Sequence, residues 1–349
     1  MENKINHVVI GYGGMGGWHV EHALKSDVVN LLGIYDIKEE RSELARSRGI
    51  YAYGSLDEVL NDPRVELVTV AIPNDVHKET VIRALEAGKN VICEKPVTMA
   101  SSDLEDMIAA SKKSGKLFTV HQNRRWDVDF LAMKQIIQSG EIGKPLNIES
   151  RIHGSRGIPS DWRGEKAHGG GMLLDWGVHL IDQMMQLRAD ATIGRLFCKF
   201  DHITNQEVDD GFRLRMFFTD GTQAYVEVGT YNFIALPRFY MQCENGTALI
   251  TDWREKTKVV KCKAWHENDV LPVKTAAGLT KTMAPCDSVT TDTYEVERPV
   301  SDVHDFYRNV CAAIRGQATQ LITHDQLRLV LRIMEASFES DRVGQVIEM

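Results

Sequence analysis

Val8-Val9-Ile10-Gly11-Tyr12-Gly13-Gly14-Met15-Gly16-Gly17-Trp18-His19 is the stretch that decides how this chain folds. A short apolar run enters a glycine-rich turn, and a helical pattern over His19 to Leu24 leaves it. The turn spells G-x-G-x-x-G at Gly11, Gly13 and Gly16, a weak signal alone in a chain with 27 glycines. Its flanks give it weight, because a strand before and a helix after are what a dinucleotide site requires. Gly11 permits the tight turn, and Gly13 lets the backbone approach a pyrophosphate. Gly16 lets helix and strand pack closely, and the amides near Gly14 and Met15 open the helix towards the phosphate charge. Asp36 ends the next apolar run, roughly 20 residues on, where a carboxylate holds a ribose 2′-hydroxyl and repels a 2′-phosphate. NAD is therefore expected in preference to NADP.

Outward from this point, strand and helix alternate. Apolar runs at Val29 to Tyr35, Leu67 to Ile72, Val91 to Cys93 and Leu117 to Val120 read as buried parallel strands. Helical patterns at Glu39 to Arg48, Lys78 to Ala87 and Ser101 to Lys113 separate them, with Ser101 as a helix start and Gly88 and Gly115 as C′ glycines. The expected fold is α/β: a doubly wound Rossmann domain over residues 1–122, then a second α/β domain over 123–349 with an open, mostly antiparallel sheet. There a helix near Val128 to Gln138 precedes a strand near Leu146 to His153. From Ile193 consecutive strands follow, including a hairpin turned at Asp220-Gly221 as a tight two-residue turn. Further strands are expected at Phe239 to Cys243, Ala248 to Asp252 and Lys258 to Ala264. Helices near Val303 to Ile314 and Asp325 to Ser337 close the chain. The Thr-rich stretch 268–298 reads as a long loop.

Composition narrows the class. The net charge of −8 without a Lys/Arg block argues against nucleic acid and anionic membranes as partners. No run approaches the roughly 20 apolar residues of a membrane span, and the N-terminal stretch lacks an apolar signal region. The six cysteines form no C-x-x-C pair, so reduced thiols and a cytoplasmic location are expected.

Candidate site residues cluster where strands end. Ala71-Ile72-Pro73-Asn74 follows one strand and lines the crevice, with His77 at the next helix start, to cap it or to touch cofactor. Glu94-Lys95-Pro96 follows another, with Glu94 and Lys95 as candidate cofactor contacts; Pro96 biases Lys95 away from helical geometry, and a lysine fixed there can hydrogen-bond a reacting oxygen, although spacing alone favours a solvated lysine. Asp175, His179 and Asp182 fall at i, i+4 and i+7 of a very apolar helix over Met172 to Met185, where ionisable groups must be paired or used. Gly177 in its middle implies a close approach. A core histidine satisfied by Asp175 is the alternative reading of His179. A metal is not expected, since only His168 stands near as a further ligand.

Together, the glycine fingerprint, Glu94-Lys95-Pro96 and Asp175-x-Gly177-x-His179-x-x-Asp182 resemble the Gfo/Idh/MocA family of glucose–fructose oxidoreductase and inositol dehydrogenase. Gln122-Asn123-Arg124-Arg125-Trp126 and Asp161-Trp162-Arg163 extend the resemblance along the chain. It implies an NAD-dependent dehydrogenase with His179 as general base, Lys95 polarising the same oxygen, and Asp175 binding substrate or orienting His179. It also implies cofactor contacts from Asn123, Trp162 and Arg163, with Arg163 as a bidentate ligand of the pyrophosphate; Trp162 is equally readable as a core anchor. The implied substrate is a sugar, glycoside or cyclitol, with His153, Arg156, Tyr231, Tyr240 and Trp265 as candidate pocket residues. A homodimer or homotetramer is implied too, and Phe217, out of phase with Phe212, Leu214, Met216 and Phe218, suggests a second apolar sheet face. Three other readings stay open: a glycoside-cleaving enzyme with tightly held NAD, a non-catalytic NAD-binding regulator, and a reductase for a flat apolar substrate.

Overall fold

The computed structural model describes residues 4–263, 272–280 and 288–349. Its first layer alternates β1 (Ile5–Ile10), α1 (Gly14–Leu24), β2 (Val29–Tyr35), α2 (Glu39–Ser47), α3 (Leu56–Asn61), β3 (Leu67–Val70), α4 (His77–Glu86), β4 (Asn90–Cys93), α5 (Ser101–Ser114) and β5 (Phe118–Val120). The five strands pair in parallel in the order β2-β1-β3-β4-β5. Val8, Val9, Leu67, Val68, Val91, Ile92 and Phe118 have no exposed surface, as strands covered on both faces require. One helix was not expected: α3, which starts where the Ser55 hydroxyl accepts from the Glu58 amide at 3.1 Å. Ser101 begins α5 as expected, yet its amide is held by Glu335 at 2.7 Å rather than by a local cap.

The second layer contains α6 (Val128–Ser139), β6 (Pro145–His153), α7 (Val178–Leu187), β7 (Ile193–Asp201), β8 (Gly211–Phe218), β9 (Gln223–Gly229), β10 (Phe239–Cys243), β11 (Gly246–Ile250), β12 (Thr257–Cys262), β13 (Val273–Thr275), β14 (Gly278–Thr280), β15 (Thr291–Val296), α8 (His304–Ile314), α9 (His324–Val343) and β16 (Ile347–Glu348). A nine-stranded sheet runs β15-β12-β11-β10-β6-β9-β8-β7-β16, with β6 and β9 parallel and the other neighbours antiparallel. The expected loop at 268–298 is therefore partly strand, because β15 pairs with β12 and β13 with β14. The β8–β9 turn is also longer than two residues: Gly221 at φ +89° closes residues 219–222, and the Phe218 amide reaches Thr222 O at 2.9 Å.

Alternation sorts the sheet into two faces. Ile148, Ser150, Leu214, Met216, Val226, Phe239 and Met241 point inward and are buried. The opposite face is polar rather than apolar, which corrects the expectation drawn from Phe217. Arg151 pairs with Glu149 and Glu227, and Arg213 with Asp201 and Glu227. Phe217 itself lies under Arg195, 5.2 Å from the guanidinium carbon. The last helices return to the first layer: Tyr307 of α8 bonds His19 of α1, and Arg308 pairs with Asp27 at 3.0 Å. No helix among the described residues is long and apolar enough to cross a membrane.

Candidate active site

Because β1, β3, β4 and β5 run in parallel, the residues that follow them share one edge of the sheet. Gly11 turns the chain there at φ +92°, and a Cβ would lie 2.2 Å from Ala71 O. At Gly16 a Cβ would stand 1.8 Å from Gly11 O, so helix and loop touch backbone to backbone. Around Gly13 and Gly14 a Cβ would meet nothing within 4 Å. No side chain among the described residues caps α1, so the amides of its first turn are left for an anion. Asp36 closes the far end: its carboxylate accepts from the Tyr12 amide at 2.6 Å and the Lys38 amide at 2.8 Å. Open space over two glycines, free helix-end amides and a fixed carboxylate fit a dinucleotide.

Glu94 and Lys95 leave the end of β4 in opposite directions. Glu94 points inward, with Oε1 2.8 Å from both His19 Nε2 and His121 Nδ1, and Oε2 accepting from the Lys95 amide at 3.1 Å. Burial works against its charge, and the two imidazoles outweigh it, so the carboxyl is held well below its usual range. Glu94, expected to contact the cofactor, instead anchors the strand end. Lys95 reaches the other way, and its Nζ lies 3.0 Å from both Asp175 O and Asp175 Oδ1. The second oxygen of Asp175 accepts from Arg163 Nε at 3.1 Å. Burial pushes the Asp175 carboxyl up, but the charges of Lys95 and Arg163 prevail and it titrates below its usual value.

The helix carrying His179 is irregular. Leu173–Gly177 form one π turn that runs into α7, a distortion frequent at functional sites. The expected stripe is therefore broken. Asp175 turns towards Lys95 and Arg163, while Asp182 is taken by Arg125 through bonds of 2.6 and 2.7 Å. Asp175 does not orient His179, whose Nδ1 is buried without a hydrogen-bond partner among the described residues. Burial, followed by the charges of Lys95 and Arg124, holds the His179 imidazole well below its ordinary pKa. It is thus neutral near pH 7 and able to take a proton. Gly177 is required as read: a Cβ would sit 3.0 Å from Phe212 Cζ. Asp209 holds the start of the turn, accepting from the Leu173 amide at 2.8 Å, and burial pushes its carboxyl up.

Other expected residues lie elsewhere. His77 is fully buried with Nε2 2.9 Å from Ile72 O and Nδ1 3.1 Å from Pro96 O, so it ties two loops together rather than facing cofactor. Asn74 is also buried, and its amide donates to Gly169 O at 3.1 Å, joining the crevice edge to the segment after β6. Ile72, Pro73, Met15, Asn123 and Trp162 stay partly or fully exposed around the edge. Arg163 lies 4.6 Å over Trp162 with its guanidinium spent on Asp161 and Asp175. His153 and Tyr240 occupy the outer sheet face, in register with Gly229 and Glu149, away from α7; strand alternation puts them there. Arg156 and Tyr231 are exposed on loops, and Trp265 and Cys286 fall outside the described residues. His168 pairs with Asp75 at 3.3 Å. Sequence reading gave Arg124 no role of its own within its motif, and it missed Asp209 and the two histidines on Glu94, which no spacing rule connects to the site.

Residues 5–122 match the oxidoreductase family described by its NAD-binding Rossmann fold, and residues 130–249 match the GFO/IDH/MocA C-terminal domain. An NAD-binding protein from Listeria innocua is 42% identical, with a TM-score of 0.96 and full coverage of both chains. A scyllo-inositol 2-dehydrogenase (NADP(+)) of Bacillus subtilis is 27% identical over 97% of this chain and 94% of its own. An uncharacterized oxidoreductase of Schizosaccharomyces pombe is 40% identical, but the match spans only 44% of either chain. The chain belongs to the Gfo/Idh/MocA oxidoreductase family.

Proposed function

We propose that this member of the Gfo/Idh/MocA family is a dehydrogenase moving a hydride between nicotinamide and a secondary carbinol of a sugar, glycoside or cyclitol. The observation that carries the reading is the buried His179 imidazole, near enough to Lys95 for that charge to act on it, with the lysine itself fixed on Asp175 at 3.0 Å. A nicotinamide dinucleotide held by the glycine loop and Asp36 would supply the hydride acceptor. His179 takes the hydroxyl proton, a transfer that needs a base uncharged at the working pH. Lys95 donates to the same oxygen and stabilises its developing negative charge. Asp175 balances the charge of Lys95 and, with Arg163, keeps its ammonium aimed along one direction. Positions over the pyrophosphate fall to Gly13, Gly14 and Met15, and the ribose to Asp36, which favours NAD. The Bacillus subtilis relative acts on scyllo-inositol, which supports a ring polyol as substrate class, while its use of NADP(+) makes the cofactor a point to measure.

The test is reduction of NAD and of NADP by purified protein across inositols, aldopyranoses and glycosides. Turnover on one ring-polyol class with NAD ahead is expected. No net reduction, together with release of tightly held dinucleotide on denaturation and cleavage of a glycoside, would instead assign a redox-assisted lyase or hydrolase.

A further inference from the structure

Beside His179 stand two indoles in sequence. The Trp176 ring stands edge-on to the His179 imidazole, 6.2 Å between centroids at an interplanar angle of 70°. Trp253, on the connection after β11, follows at 6.2 Å from Trp176 with the two indoles inclined by only 35°. The Arg124 guanidinium carbon lies 4.1 Å over the Trp176 ring and 6.0 Å from the centroid of Trp253, so one cation covers a face of the first indole and approaches the second. Asp127 fixes one end of this guanidinium at 3.0 Å, while its Nε is buried with no partner among the described residues. Trp253 is 41% exposed, unusual for an indole with another indole and a guanidinium already at hand to cover it.

We propose that Trp176 and Trp253, with Arg124 between them, form a stacking subsite for a six-membered ring carried by the substrate. This rests on the ring-polyol reading above and deepens it by naming how the ring is recognised. A pyranose or cyclitol has hydroxyls at its rim and C–H bonds on its faces. The indole surface that Arg124 leaves uncovered, chiefly that of Trp253, attracts those C–H bonds, and the guanidinium over Trp176 donates to the rim hydroxyls. The indoles begin beside His179, so a ring lying on them presents one rim carbinol to the base and the next ones to Arg124. An open-chain polyol offers no flat C–H face and gains little from the indoles. An aryl group on a glycoside offers the same stacking chemistry as the ring itself, so it is the second source of a ligand for these indoles.

Binding to the protein saturated with NADH, measured by titration calorimetry, tests this without depending on turnover. The probes are myo-inositol, methyl β-glucopyranoside, phenyl β-glucopyranoside and open-chain sorbitol. Wild-type protein is expected to bind at least one ring probe more tightly than sorbitol. Trp253→Ala is expected to weaken that probe about tenfold, and Trp253→Phe to recover most of the loss. A loss confined to the phenyl glycoside assigns Trp253 to the aglycone; an equal loss for both glycosides assigns it to the sugar ring. Because Trp253 is partly exposed, an unchanged unfolding midpoint in Trp253→Ala is expected and excludes a folding defect. Ring affinities that survive Trp253→Ala, or that fall together with that of sorbitol, overturn the subsite even where wild-type protein oxidises ring polyols. Absence of both ring binding and ring oxidation overturns the subsite and the functional reading together.

Discussion

The two walls of the cleft hold their charges by different means. On the dinucleotide wall the carboxylate of Asp36 is gripped by backbone amides, those of Tyr12 and Lys38, and the loop around it is packed backbone on backbone at Gly11 and Gly16. Around the helix that carries His179 the carboxylates are gripped mainly by side chains: Lys95 and Arg163 on Asp175, and Arg125 on Asp182. A backbone-built wall depends on the absence of Cβ atoms and tolerates most changes of charge. A wall built from side chains depends on each partner, since losing one strands another in a site where unpaired charge is costly.

The largest effect expected from this contrast is at His179. Replacing it with Ala is expected to lower kcat by about 10²–10⁴-fold, while NAD affinity, set on the other wall, stays near the wild-type value. Its pH dependence sharpens the point. The imidazole is held below its ordinary value, so the neutral, basic form persists to lower pH and the acid limb of kcat/KM should lie below about pH 6.5. Lys95→Met removes one of the charges that depress it, so the limb that remains should move upward. A limb that moves down, or activity that survives His179→Ala, would assign proton transfer to another group.

Next come the glycines, where two neighbouring positions should respond in opposite ways. A methyl at Gly16 collides with Gly11 O, so Gly16→Ala should lower stability by about 1–3 kcal/mol, read from the denaturant midpoint. A methyl at Gly13 meets no atom of the described residues within 4 Å; Gly13→Ala should fold normally, within about 0.5 kcal/mol, and lose cofactor affinity instead. Equal losses of stability at both positions would break the distinction between packing glycine and access glycine.

The same contrast explains how much of the molecule was legible in its sequence. Sterics act over a few residues, so Gly11, Gly13, Gly16 and even Gly177 could be interpreted from local pattern. Apolar runs likewise marked the parallel strands, because burial on both faces leaves no other composition. Which face of a sheet meets the pocket is not local, and His153 and Tyr240 were placed in it although alternation turns them outward. The partners of Glu94 stand 75 and 27 residues away, and no spacing rule connects them. The π turn is a single extra residue in the helical count, invisible to a 3.6-residue period, and it undid the Asp175–His179–Asp182 stripe.

The smallest expected effect tests the one place where the backbone-built wall relies on charge. Asp36 accepts two amide N–H groups, one per oxygen, which an amide side chain cannot do with both of its ends. Asp36→Asn should therefore loosen the grip on the Tyr12 amide and remove the charge that repels a 2′-phosphate. The ratio of kcat/KM for NAD over NADP is expected to fall by about tenfold, and further when Ile37, 84% exposed beside it, is changed to Arg. The mechanism fixes where the change must appear: a loss of repulsion raises efficiency with NADP, whereas a loosened loop lowers efficiency with NAD. Measuring both cofactors separates the two. If NAD efficiency drops while NADP gains nothing, Asp36 is a brace for the glycine loop, and the dinucleotide wall is set by its backbone throughout.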